Sequence, residues 1–153
     1  MIFLRCYRLY FLTKMDLNFV NGITFNLKDL PRDTAEVIVR DGDNSPVAEE
    51  MWKRVVLPGK NFSLVYTYPR YDEINPTIPY ETDGIPVTLE DLFTTIYNFY
   101  QEPIPPEDRE IIRGNYDQDA EPLIKRIDVM NNRDTFFGMT EVSPNTYSLK
   151  LEH

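Results

Sequence analysis

The chain has 153 residues, 42% hydrophobic and 13% aromatic, with 25 acidic against 16 basic side chains and a formal net charge of −9. That length and apolar content fit one compact domain, and they exclude a disordered chain, because burial of the aromatic surface offsets the loss of conformational entropy. One cysteine excludes an internal disulfide framework and a Cys-rich metal knuckle, and the acidic balance speaks against direct binding to nucleic acid.

Residues 1–14 carry Arg5, Arg8 and Lys14, no acid, and an otherwise apolar run. Arg5 and Arg8 interrupt that run and no small-residue cleavage site follows, so it does not read as a signal peptide, and it is too short to span a bilayer. Three readings stay open: an edge strand, which is preferred; a membrane-surface or partner-binding segment; or an extension ahead of a start at Met15. Beyond it, residues 17–20, 23–27 and 35–40 are β-prone runs, and Asn21-Gly22 between the first two predicts a hairpin turn. Asp41-Gly42-Asp43-Asn44 is a turn.

Ser45 and Pro46 read as the N-cap and first position of a helix carrying Val47, Met51, Trp52 and Val55 on its apolar face, stopped by Pro58-Gly59. Alternation over residues 62–68 predicts a strand. Residues 69–86, with Pro69, Pro76, Pro79 and Pro86 beside Tyr71 and Tyr80, read as one extended loop. Thr88 with Asp91 forms a capping-box pattern, and Leu89, Leu92, Phe93, Ile96, Tyr97 and Tyr100 give the clearest amphipathic stripe. A shorter helix is expected from Pro105-Pro106 to Arg113, stopped by Gly114. The remainder predicts a β-meander with strands over residues 126–130, 134–142 and 147–149. The expected fold class is α+β: a single domain over residues 15–150, with an antiparallel sheet or meander packed against two or three helices.

Leu151, Glu152 and His153 read as the remnant of a purification tag, with a native terminus in which Leu151 completes a strand as the other reading. Without both ends, residues 15–150 hold 24 acids against 13 bases, a net charge of −11, and no Cys or His. That leaves no side chain for an imidazole acid–base, a thiol or Ser–His nucleophile, or a His/Cys zinc site.

Ile85-Pro86-Val87-Thr88, the helix over residues 89–100, Pro103-Ile104-Pro105, Arg126-Ile127-Asp128-Val129-Met130 and Phe136-Phe137-Gly138-Met139 follow one another in an order that resembles an uncharacterised domain family of fungal proteins and large nucleocytoplasmic DNA viruses. The resemblance covers residues 85–149 and departs at Met139, where leucine is expected. It implies a fold and a viral origin, and no activity.

The remaining chemistry is carboxylate. Asp41/Asp43, Glu49/Glu50, Asp72/Glu73, Glu90/Asp91, Glu107/Asp108 and Asp117/Asp119 are paired in sequence, but they fall at caps, turns and helix starts where solvated acids are favoured. Asp41 fails as the start of a calcium loop, because its twelfth position is Trp52 rather than glutamate. No phosphate-cradling or nucleophile-elbow motif occurs. Arg126 and Asp128, two apart, are expected to share a strand face as a structural ion pair. No catalytic residue, metal ligand or cofactor is therefore expected. Tyr68, Arg70, Tyr71 and Tyr80 stand out as partner-binding candidates, since Tyr and Arg dominate interface energetics, with the alternative that their rings pin the loop to its own core. The expected function is a non-enzymatic protein–protein interaction module, viral and intracellular (host cytoplasm or nucleus, or virion) rather than secreted, with no membrane span. Its partner is a protein, basic by charge complementarity. Two other readings are a carboxylate-only hydrolase, acting on glycosides or dependent on a divalent metal, and a homo-oligomeric virion or scaffold component assembling through an open sheet edge.

Overall fold

The structure is a computed structural model and describes residues 13–69, 71, 73–112, 124–130 and 132–152. Asp16 caps a single helical turn, α1 (Leu17–Val20), by accepting the Phe19 amide at 3.3 Å, and strand β1 (Ile23–Asn26) follows. Pro31 opens α2 (Pro31–Thr34) at the helix position where a missing N–H costs nothing. Strands β2 (Glu36–Val37) and β3 (Ser45–Pro46) then pair as a hairpin. After α3 (Glu49–Trp52) come β4 (Val55–Leu57), β5 (Phe62–Val65), β6 (Thr77–Tyr80) and β7 (Val87–Thr88). The long helix α4 (Leu89–Gln101) carries the capping box read in the sequence, with Thr88 and Asp91 bonding each other's backbone amides at 3.1 Å. Helix α5 (Pro106–Ile112), a 3₁₀ turn (Arg126–Val129), β8 (Thr135–Ser143) and β9 (Thr146–Glu152) complete the described elements.

Seven strands form one sheet in the order β3-β2-β1-β8-β9-β5-β6, and β4 pairs with β7 in a separate ladder. All pairs are antiparallel except β5 with β9. The β8–β9 hairpin therefore lies in the middle of the sheet although it follows every other strand in the chain. The apolar stripe of α4 packs on the sheet. Phe93, fully buried, meets Phe25 of β1 at 4.5 Å between ring centroids, Phe136 of β8 at 5.3 Å and Trp52 of α3 at 6.0 Å. This is the α+β class expected, with two extended helices and three single turns.

Several local expectations are corrected. Residues 17–20 are helical rather than a strand, so Asn21-Gly22 ends a helix instead of turning a hairpin. The Asn21 side chain instead extends the β1–β8 pairing: its Nδ2 donates to the Met139 carbonyl at 3.1 Å and its Oδ1 accepts the Met139 amide at 2.9 Å. It can approach because β8 carries an irregularity at Gly138, whose φ of 136° is rarely adopted by other residues and where a Cβ would stand 2.8 Å from Asn21 Oδ1. Asn21→Ala leaves both backbone groups of Met139 without their partner and is expected to cost about 1–3 kcal/mol, read as a lower urea midpoint at unchanged slope.

Ser45–Pro46 is a strand rather than a helix start, and the helix begins at Glu49. The loop over residues 69–86 contains β6, paired with β5 from Phe62↔Tyr80 to Val65↔Thr77. Residues 126–130 are not a strand: Asp128 folds back to accept the Lys125 amide at 2.9 Å, which closes a 3₁₀ turn. Leu151 and Glu152, expected as a tag remnant, lie in β9 opposite Phe136 and Thr135, the placement of the other reading in which Leu151 completes a strand, while residues 1–12 and His153 lie outside the described residues.

Both edges of the large sheet carry a proline, and the ladder sets which way each one faces. Tyr66 N–H bonds Pro76 O, so the alternation of hydrogen-bonded pairs puts Pro79 at an outward position of β6. Val47 N–H bonds Ala35 O, which by the same alternation turns the ring nitrogen of Pro46 outward from β3. Each edge thus lacks a donor where a further strand would need one.

Candidate functional site

The four partner-binding candidates do not form one surface. Tyr68 is 0% exposed and Tyr71 7%. Their rings lie in the core, and pinning the loop describes what they do. Tyr80 is half-buried in β6, where its hydroxyl meets that of Tyr66 at 2.5 Å and its ring stacks on Phe62 at 5.3 Å. Arg70 lies outside the described residues.

What these residues join is an aromatic cluster under α4. Tyr66 stacks on Phe99 at 3.6 Å between centroids, and the Arg126 guanidinium lies over the Phe99 ring at 3.9 Å. The expected Arg126–Asp128 pair is not made. Arg126 Nη1 donates instead to Phe99 O at 3.0 Å and to Glu102 at 2.9 Å, tying the 3₁₀ turn to the end of α4. The Tyr100 hydroxyl donates to the Thr67 carbonyl at 2.8 Å and fixes the strand end that carries Tyr66 and Tyr68. The Tyr68 hydroxyl is buried near Arg126, whose charge and side chain partly offset the effect of burial on it, and it meets no hydrogen-bond geometry among the described residues.

Burial pushes the ionisation of Tyr66, Tyr68, Tyr80, Tyr100 and Tyr147 upward. These phenols stay protonated in the folded chain while their unfolded counterparts ionise near pH 10, so above that pH the unfolded state binds fewer protons than the folded one. Their contribution to stability is fully present below about pH 10 and falls as pH rises through the raised folded values. A melting temperature flat on the alkaline side of neutrality, then dropping steeply above about pH 10 as phenolate absorbance appears, is the expected result.

The carboxylates are brought together at one place only among the described contacts. Arg32 holds Glu49 through Nη1 at 2.6 Å and Nη2 at 3.1 Å, holds Glu90 through Nε, and lies 5.4 Å from the centre of the Trp52 ring. The Arg32 hydrogen bond draws the Glu49 ionisation down, the opposite of what a general acid needs. Burial, and then the neighbouring Glu107, raises that of Asp108 at the start of α5. Asp72, Asp117 and Asp119 lie outside the described residues. Among the described residues no group of three His, Cys, Asp or Glu side chains could hold a metal, and no helix is long and apolar enough to cross a membrane. A cleft of about 640 Å³ is lined by Lys28, Gln101, Lys125, Ile127, Asp128 and Asn132, but Lys28 is paired with Asp134 at 2.9 Å and Asp128 with its own turn.

The feature that sequence reading missed is the β2–β3 hairpin. Across residues 36–46 every side chain is exposed except the half-buried Val37. The tip is stiffened by Asp41 at φ 62° and by Asn44 Oδ1 accepting the Val39 amide at 3.2 Å. Ile38 is 47% exposed and Val39 40%, within a segment that also carries Glu36, Asp41 and Asp43 against the single base Arg40. Its signature was the β-prone run over residues 35–40, which continues past the end of β2 through Ile38 and Val39 to Arg40 and is followed by Asp41 and Asp43.

Comparison with protein-family models, curated proteins and solved structures finds no match to this chain.

Proposed function

We propose that the protein is a non-enzymatic interaction module that presents the hairpin of residues 36–46 to a basic protein partner, in the viral setting that the resemblance over residues 85–149 implies. The observation that carries this reading is the exposure of Ile38 and Val39 in a hairpin whose exposed residues also include Glu36, Asp41 and Asp43. An apolar pair supplies contact area and acidic residues in the same hairpin select the sign of the partner. The outward prolines at 46 and 79 make side-chain contact the better-supported mode than strand addition, and they weigh against a scaffold built by edge pairing. The hydrolase reading draws no support from Glu49, whose carboxylate is held ionised by Arg32.

Titration of the isotope-labelled protein with a short peptide alternating lysine and leucine tests the proposal. Amide shifts are expected within residues 36–46, weakening with added salt. Truncating Ile38 and Val39 to serine is expected to cost about 1 kcal/mol or more, a roughly fivefold loss of affinity. Shifts scattered over other acidic surfaces and indifferent to that double substitution would overturn it.

A further inference from the structure

The chain contains two exposed Ser-Pro dipeptides, Ser45-Pro46 and Ser143-Pro144, and the fold treats them differently. We propose that Ser45 is the phosphoacceptor for a proline-directed serine/threonine kinase and that its modification makes the hairpin of residues 36–46 more acidic. The second half of this inference rests on the reading of that hairpin as the partner-binding surface; the first does not.

A proline-directed kinase takes its acceptor in extended backbone, with the hydroxyl free and the following proline accessible. Ser45 meets each requirement. It lies in β3, paired on one side only, with Pro46 exposed beside it and its ring nitrogen turned away from β2. The Ser45 hydroxyl makes no hydrogen bond among the described residues. Ser143 does not meet them. It is paired with Thr146 across a tight turn in which Asn145 sits at φ 56°, Thr146 Oγ1 donates to Pro144 O at 3.3 Å, and Asn145 O accepts the Ser63 amide at 2.9 Å. Extending the chain beyond Ser143 through Pro144 and Asn145 would therefore undo the turn and with it the end of the β8–β9 pairing and its junction with β5.

In the reaction, Ser45 Oγ bonds the γ-phosphorus of magnesium-bound ATP and the bond from that phosphorus to the β,γ-bridging oxygen breaks. ADP leaves, and the hydroxyl proton passes to the kinase's carboxylate base. The hairpin gains about 1.5 to 2 negative charges beside Asp41 and Asp43, which strengthens attraction to a basic partner.

Incubating the folded full chain with a purified proline-directed kinase and magnesium ATP, then mapping phosphate by mass spectrometry, is the test. One phosphate on Ser45, lost in Ser45→Ala, with Ser143 unmodified in the folded protein but accepting phosphate in a synthetic peptide of residues 138–150, is the expected pattern. Absence of phosphate on Ser45, or equal labelling of Ser143 in the folded chain, overturns the assignment. The phosphorylated protein is then expected to bind the lysine–leucine peptide several-fold more tightly than the unmodified protein. Labelling of Ser45 in a protein that binds the peptide in neither form would overturn the hairpin reading while leaving the phosphoacceptor assignment in place.

Discussion

Phe93→Ala is expected to lower the unfolding free energy by about 3–5 kcal/mol, a large part of the roughly 5–15 kcal/mol that holds a domain of this size folded. Phe93 is fully buried on the apolar stripe of α4 and is the one ring in contact with Phe25, Phe136 and Trp52 together, so its loss opens a cavity between helix and sheet. Two of the rings around it, Phe25 and Phe136, sit opposite each other on the paired strands β1 and β8, and the third belongs to α3, so the hydrogen-bonded sheet cannot move one strand alone to close the space. Urea denaturation followed by tryptophan fluorescence reads the change directly, since Trp52 lies at the edge of the void. A midpoint shift with unchanged slope is the expected form. A loss below about 1 kcal/mol would mean that α4 does not organise this core.

The second large effect is at Gly59. A Cβ there would fall on the carbonyl group of Gly84 and stand 2.8 Å from its Cα, and these are backbone atoms with no rotamer to turn aside. Gly59→Ala is therefore expected at or above the upper end of the about 1–3 kcal/mol typical of overpacking. Gly22→Ala is the control, because a Cβ there comes no closer than 3.4 Å to its nearest neighbour, the Phe19 carbonyl oxygen. It is expected to be neutral or to stabilise by a few tenths of a kcal/mol through the unfolded chain. Thermal denaturation of the two variants side by side separates a steric cost from a general effect of replacing glycine.

The contrast between these positions reflects what a sequence can express. Helix α4 was legible because its apolar residues recur at three and four positions behind a Thr88–Asp91 box, so that local and tertiary preferences agree. Strand β5 was legible by alternation, and β8 and β9 by the turn residues Ser143-Pro144-Asn145 between them. Residues 17–20 were not, because an apolar run of four residues fits a strand or a helical turn equally; Asp16, which caps the turn, was the available cue. Strand β6 was hidden by Pro76 and Pro79, which read as loop unless it is known that the strand lies at an edge. The 3₁₀ turn at Arg126 was hidden by a period-two pattern that its cap, Asp128, overrides.

The candidate surface was half visible. The acids of residues 41–44 were read as a turn, but the exposure of Ile38 and Val39 depends on the chain leaving the sheet beyond Ile38, whose amide makes a last bond to Gly22 O at 2.9 Å, which no local pattern encodes. Tyr68, Tyr71 and Tyr80 stood out as partner-binding candidates with core pinning as the alternative, and whether a tyrosine faces a partner or its own core is decided by the strand that brings Tyr66 onto Phe99.

The position of the β8–β9 hairpin has a consequence for how the chain is made. Strands β1 to β3 and strands β5 and β6 emerge from the ribosome as two separate half-sheets, and each has one flank that only the later hairpin can fill: β1 awaits β8, and β5 awaits β9. The prolines at 46 and 79 guard the outer flanks and leave the inner ones uncovered. Until Thr146 reaches Ser63, the growing chain therefore carries two pairing-competent edges, and this interval of synthesis is when a holding chaperone would matter most to its yield.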